Sequence, residues 1–257
     1  MNKFKNFPPV YCISLSDSSD RRCYMKGQCD ALGIEDLTFI ECYDGREVDF
    51  RQTGLVQGNF VHEVSQGAIA TSISHIKAIK HWLDTSDSEW GVFCEDDMIF
   101  HTSKYWNFTW DEFASTFPDD WECMQLSLIR EYFHFIDDDF QIKHREGSDW
   151  SAGTYLLNRK SGQEIVSDYI MEDGRFNLSV VKQPNCIPDP ESVVYGPSYH
   201  NYRAYVFPLF VENTSFPSTF YPYFIETTTK NSQSESSINV YNWWKSNGNT
   251  FKLKKYL

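Results

Sequence analysis

Three acids, Glu95, Asp96 and Asp97, stand side by side after the apolar run Trp90 to Cys94 in WGVFCEDDMIF. Adjacent carboxylates repel one another, so such a cluster is unfavourable unless a cation sits among them. Hard oxygen ligands select Mg2+ or Mn2+. Such a metal commonly bridges a diphosphate and offsets the charge that builds on a leaving phosphate. The triplet also reads as a solvated acidic turn after an edge strand, and spacing alone leaves both readings open. Arg21 and Arg22 are a second chemical feature. In a net-acidic chain, two guanidinium groups near a strand end could grip a diphosphate. They also read as surface charge at a helix start, although Asp and Glu are preferred there.

The elements that must position these residues are legible. VYCISL (10–15) is a short β-rich run. A polar turn follows, then a helix carrying Tyr24, Met25, Cys29 and Leu32 at helical spacing, with Gly33 as its C-terminal cap. LTFIECYDG is a second strand, which completes the β-α-β opening of a doubly wound sheet. Residues 46–63 read as a loop. SQGAIATSISHIKAIKHWLD reads as a helix, with Ile69, Ile73, Ile76, Ile79 (or Lys80) and Leu83 at three- and four-residue spacing. The acidic triplet then terminates a buried strand, and in open α/β sheets ligands bind at that edge. A helix is expected over 108–117, strands over 121–129 and 151–159, and a helix from Lys160 to about Tyr169. TTTKNSQSESS, after Glu226, reads as a flexible linker. The aromatic, basic tail behind it reads as a docking helix or an oligomer contact. The expected organisation is one α/β domain over 1–226, with a linker and C-terminal segment over 227–257.

Composition excludes several classes. The 257 residues carry a formal net charge of -13, which disfavours non-specific binding to nucleic acid or to anionic membranes. No apolar run approaches the ~20 residues of a membrane helix, and the N-terminus does not read as a signal peptide. The seven cysteines form no CxxC pair and read as reduced thiols of a cytoplasmic protein. The sequons at Asn107, Asn177 and Asn213 then read as chance matches. No phosphate-binding loop, G-x-G-x-x-G, HExxH, zinc ribbon or G-x-S-x-G is present. Asp137 to Asp139 read as a solvated loop and not as a second metal site.

Three blocks, in order, resemble the family-25 glycosyltransferases, which include bacterial lipooligosaccharide sugar transferases and procollagen galactosyltransferases. The first is VYCISLSDSSDRRCYMKGQCDALGI with FIECYDG, the second QGAIATSISHIKAIKHWL, and the third GVFCEDDMIF. SAGTYLLNRKSGQEI is a weaker fourth. Together they span roughly residues 10 to 210, and the last third matches loosely. Ser14 stands where the family usually has Asn, and Ala70 and Thr71 where it often has Gly and Cys.

The resemblance implies a GT-A fold, a Rossmann-like mixed sheet with helices on both faces. It also implies a UDP-sugar donor and usually Mn2+ (or Mg2+). The triplet then acts as the DxD motif, with Asp97 on the metal, Glu95 on the ribose or a sugar hydroxyl, and Asp96 in either role. Ser14 and Ser16 lie where the opening strand would meet the donor, beside Arg21 and Arg22. Ser74 and His75 gain a site-facing reading over that of a half-buried helix. Gly153, between Ala152 and Thr154, lets backbone approach the sugar closely or simply packs on a helix. An inverting transferase needs a base for the acceptor hydroxyl. Asp189 and Glu191, in IPDPESVVYG with Pro188 and Pro190, are the candidates, and Asp189 is also a candidate metal ligand. Asp149 is a lesser candidate.

The expected activity is metal-dependent, inverting transfer of a hexose, galactose or glucose, from a UDP-sugar to a hydroxyl acceptor. Glycan, lipid-linked sugar and hydroxylated peptide are the acceptor classes left open. A non-catalytic nucleotide-sugar or glycan-binding module and a metal-dependent phosphoesterase are the rival readings.

Overall fold

The computed structural model describes residues 2–58, 64–129, 140–180, 189–200, 203–216 and 229–256. In chain order the first elements are β1 (Val10–Ser14), α1 (Ser19–Leu32), β2 (Leu37–Glu41), β3 (Val56–Gln57), α2 (Gln66–Thr85), β4 (Trp90–Glu95) and β5 (Met98–Ile99). A 3-10 turn (His101–Tyr105), α3 (Trp110–Ala114), β6 (Cys123–Gln125), β7 (Lys143–His144), β8 (Thr154–Asn158) and α4 (Arg159–Tyr169) follow. Then come β9 (Phe176–Asn177), a 3-10 turn (Leu178–Val180), α5 (Pro190–His200), β10 (Ala204–Val206), β11 (Val211–Glu212) and α6 (Thr229–Asn247).

The expected mixed α/β sheet is present. Its seven strands run β2-β1-β4-β8-β6-β10-β7. β1 is parallel to both β2 and β4, while β8 is antiparallel to β4 and β6. Side chains alternate across the sheet with period two. Val10, Cys12, Val92, Cys94 and Leu156 join one core with α1, α3 and α6. Tyr11, Ile13, Phe93, Tyr155 and Leu157 join the other with α2, α4 and α5. Helices therefore cover both faces.

Local signals set the helix ends. Gly33 closes α1 at φ 70°, a conformation glycine adopts without steric penalty. Ser65 Oγ accepts from Ala68 N at the start of α2, and Thr109 and Glu112 form a capping box on α3. α1 begins at Ser19, earlier than the apolar spacing predicts, because its first turn faces the acids and not the core. Arg21 and Arg22 thus lie on the helix, not in the turn. The expected strand over 121–129 is regular only over Cys123–Gln125, and Ile129 rejoins the ladder through an isolated bridge to Trp150. Inside the expected loop 46–63, Val56–Gln57 pair in parallel with Phe176–Asn177; residues 59–63 lie outside the described residues.

The linker reading is corrected. Residues 227 and 228 lie outside the described residues, but from Thr229 the segment is α6. Its polar first half carries no apolar stripe, and its second half supplies one through tertiary packing. Val240 and Trp244 are buried in the core. Trp244 Nε1 donates to Pro208 O at 2.9 Å, and its ring lies 5.9 Å from Trp106 and 5.6 Å from Phe251. Trp244→Ala is expected to destabilise the chain by about 3–5 kcal/mol in urea unfolding. A loss below about 1 kcal/mol would mean that the tail merely rests on the domain. Cys186, Pro188 and Asp137 to Asp139 lie outside the described residues. The six described cysteines are all free thiols.

Candidate active site

The chain leaves β1 through α1 to reach β2 on one side, and returns through α2 to β4 on the other. β1 and β4 are thus adjacent parallel strands whose connections diverge, a switch point of the kind at whose carboxyl ends open α/β sheets bind ligands. Ser14 ends β1 and Glu95 ends β4, with Ile13 and Glu95 in register. Antiparallel β8 starts at the same edge, where Gly153 O accepts from Glu95 N at 2.9 Å.

Asp96 and Asp97 form the turn after β4. Asp96 is saturated: Ser14 Oγ donates to its Oδ2 at 2.6 Å, and Arg21 Nη1 donates to its Oδ1 at 2.6 Å. Arg21 Nη1 also reaches Asp97 Oδ2 at 3.3 Å, and its guanidinium lies over the Phe216 ring. Arg21 thus holds both acids. Arg22 holds the strand end instead, donating to Ser14 O at 3.0 Å and Ser14 Oγ at 3.2 Å. Ser16 is exposed in the turn between β1 and α1.

Asp97 is the unbalanced member. Its Oδ1 is buried with no hydrogen-bond partner. Burial, then the charge of Glu95, push its carboxyl up to about 7, with Arg21 only partly opposing them. A buried carboxylate oxygen without a donor, beside like charges, has the chemistry of a ligand for a hard cation. No three His, Cys, Asp or Glu side chains among the described residues form a ready-made metal cage.

His75 is fully buried on α2 and faces this edge. Its Nδ1 lies 2.8 Å from Tyr155 Oη, and its Nε2 lies 3.6 Å from Glu95 Oε1. The second distance is too long for a hydrogen bond, and Nε2 has no partner. With the Tyr155 hydroxyl donating to Nδ1, the Nε2 hydrogen points toward the carboxylate; the other tautomer would aim a lone pair at it. Ser74 is placed differently. Its hydroxyl donates to Ala70 O and accepts from Tyr43 N, so it ties α2 to the segment after β2.

Glu191 lies in the first turn of α5 and accepts from Ser151 N. Its other oxygen is 3.8 Å from Arg145 Nη2. Burial, then the Asp189 charge, push Glu191 up to about 7. Asp189 caps the same helix, its Oδ1 accepting from Ser192 N at 2.7 Å, as Pro190 enters the first turn. Asp149 is fully buried, its Oδ2 accepting from Glu146 N in a turn.

Two site residues escape sequence reasoning. Ser151 has φ 101°, a backbone state rare for a residue with a Cβ. Glu212 Oε1 accepts from Ser151 Oγ at 3.2 Å. Trp150, next to Ser151 in sequence, is a large apolar side chain left 39% exposed.

Fold and edge together define a class: an α/β protein with carboxylates gathered at its switch-point edge, where such sheets bind ligands. The sequence model of glycosyltransferase family 25 (LPS biosynthesis protein) matches residues 7–170. That is more than half of the chain, and the chain belongs to this family. It is a glycosyltransferase, acting between a sugar donor and an acceptor. The match ends at Ile170, before Asp189, Glu191 and Glu212.

Among solved structures the chain is similar to A197 from STIV, at 11% identity over 82% of this chain and 87% of that one, with TM-score 0.40. It is similar to a glycosyltransferase involved in glycosylation of the major capsid of PBCV-1, at 10% identity over 78% and 82%, with TM-score 0.40. HddC from Yersinia pseudotuberculosis, complexed with GMP-PN, is 14% identical over 83% and 96%, with TM-score 0.33. No curated protein matches the chain. No helix among the described residues is long and apolar enough to cross a membrane.

Proposed function

We propose that the chain is a metal-dependent, inverting glycosyltransferase of GT-A type that transfers galactose or glucose from a UDP-sugar to a hydroxyl group. The observation that carries this reading is Asp97 Oδ1, buried and unpartnered at the switch-point edge. Asp97 would hold Mn2+ or Mg2+, which when bound offsets the negative charge on the departing diphosphate.

The other residues have distinct tasks. Arg21 fixes Asp96 and Asp97 and keeps the acidic edge from repelling the donor. Arg22 and Ser14 brace the end of β1 beneath the nucleotide. Glu95, steadied by His75, accepts a hydrogen bond from a ribose or sugar hydroxyl. Glu191 takes the proton of the acceptor hydroxyl as its oxygen bonds to the anomeric carbon and the sugar–diphosphate bond breaks. Asp189 serves Glu191 indirectly, by capping the helix that carries it. The exposed face of Trp150, one residue from Ser151, suits a sugar ring and favours a glycan or lipid-linked sugar acceptor over a peptide.

The test is thermal unfolding with a panel of nucleotides, with and without Mn2+. A rise in midpoint of several degrees is expected for UDP and a UDP-hexose only when Mn2+ is present. An equal response to every nucleotide, or a response indifferent to metal, would refute the reading.

A further inference from the structure

No sequence motif marks Glu212, yet the fold brings it to the acids. β11 pairs antiparallel with β5, setting Glu212 opposite Met98, the residue after Asp97. Asn213 N donates to Asp97 O at 2.7 Å, which locks the two segments together.

A directed chain of hydrogen bonds ends on this residue. Thr154 N donates to Ser127 Oγ at 2.9 Å, and the Ser127 and Ser151 hydroxyls are 2.9 Å apart. Gly153 N donates to Ser151 Oγ at 3.0 Å, and Ser151 Oγ reaches Glu212 Oε1 at 3.2 Å. A hydroxyl has one proton and two lone pairs, and a carboxylate only accepts. The Ser151 proton therefore goes to Glu212, and Ser127 donates to Ser151. Glu191 on the Ser151 amide and Tyr195 Oη on its carbonyl complete the restraint of its unusual backbone. A Cβ on Gly153 would lie 2.8 Å from Met98 Sδ and 3.3 Å from Glu212 Oε1. The carboxylate thus packs on the backbone whose carbonyl holds Glu95.

Oε1 is committed to Ser151. Among the described residues, nothing donates to Oε2. Its charged neighbours are Asp97 and Glu95, so this part of the site favours a neutral hydroxyl over a phosphate. We propose that Glu212 determines sugar specificity, its Oε2 accepting a hydrogen bond from a hydroxyl of the sugar being transferred while Oε1 stays on Ser151. The inference rests on the UDP-sugar reading above, because it places the sugar beside the diphosphate held at Asp97.

The experiment is titration calorimetry on the full chain with Mn2+, using UDP, UDP-galactose and UDP-glucose. Wild type is compared with Glu212→Gln and Ser151→Ala, each verified as folded by circular dichroism. In Glu212→Gln the amide oxygen keeps the Ser151 bond and an NH2 group replaces the free acceptor. The preferred UDP-hexose is expected to bind about tenfold more weakly, with UDP unchanged and Ser151→Ala closer to wild type. Unchanged UDP-hexose binding would overturn the proposal. A parallel loss of UDP would place Glu212 on the metal and diphosphate, and an equal loss in Ser151→Ala would make the effect one of loop position; either overturns it. A wild type that binds no UDP compound would refute the underlying reading itself.

Discussion

Asp97→Asn is expected to lower kcat/KM of sugar transfer by about a thousandfold or more, because it removes several kcal/mol of transition-state charge stabilisation. Mn2+ should also cease to strengthen UDP binding, and retention of that effect would sink the metal assignment. The same substitution should raise stability in metal-free buffer. Asp97 sits at about 7 in the folded chain against an ordinary value of 3.8, so the folded state holds this proton more tightly than the unfolded state. As pH rises between these values, the unfolded chain ionises first and stability falls, and the full penalty stands above the folded value. Urea unfolding in chelator should show Asp97→Asn more stable by on the order of 1–3 kcal/mol at about pH 8, with the gain vanishing near pH 4. A residue whose removal ends catalysis while stabilising the fold is one kept for its ligand.

How much of this was legible in the sequence depends on how local each feature is. β1, α1, α2 and β4 follow from apolar periodicity over single segments, and the acid-rich turn follows from adjacency. The switch point comes from the order of those elements. Ser74 and His75 share one site-facing reading in the sequence, and the folded helix separates them. Neighbours on a helix point about 100° apart, and here His75 takes the site side while Ser74 bonds back to Ala70 O. Glu212 and Ser151 had no local signal. β11 and β5 are two residues long and lack any period, so their pairing is visible only in the folded chain. The strain at Ser151 is likewise set by distant partners, Glu191 and Tyr195 on α5, Glu212 on β11 and Ser127 beyond β6. α6 was hidden for a related reason: its polar half reads as linker, and its helicity rests on burying Val240 and Trp244 in a core built by distant residues.

Glu191→Gln carries the second large effect, a fall in kcat of about 10²–10⁴. Glutamine can still accept from Ser151 N through its carbonyl oxygen, so the loop should keep its conformation while the base is lost. Glu191 is held at about 7 by burial and by Asp189. A base must be unprotonated, so wild-type kcat should fall as pH drops through about 7, with the residual rate of Glu191→Gln flat across that range. Asp97 has a similar folded value, but a cation favours its ionised form; at saturating Mn2+ the acid limb that remains belongs to Glu191. Asp189→Asn is the control. Asparagine caps a helix as well as aspartate, so α5 stays in place, and removing the Asp189 charge should shift the wild-type limb to lower pH without removing it. If Asp189→Asn instead abolishes turnover while Glu191→Gln retains it, the base is Asp189, and Glu191 serves only to hold Ser151.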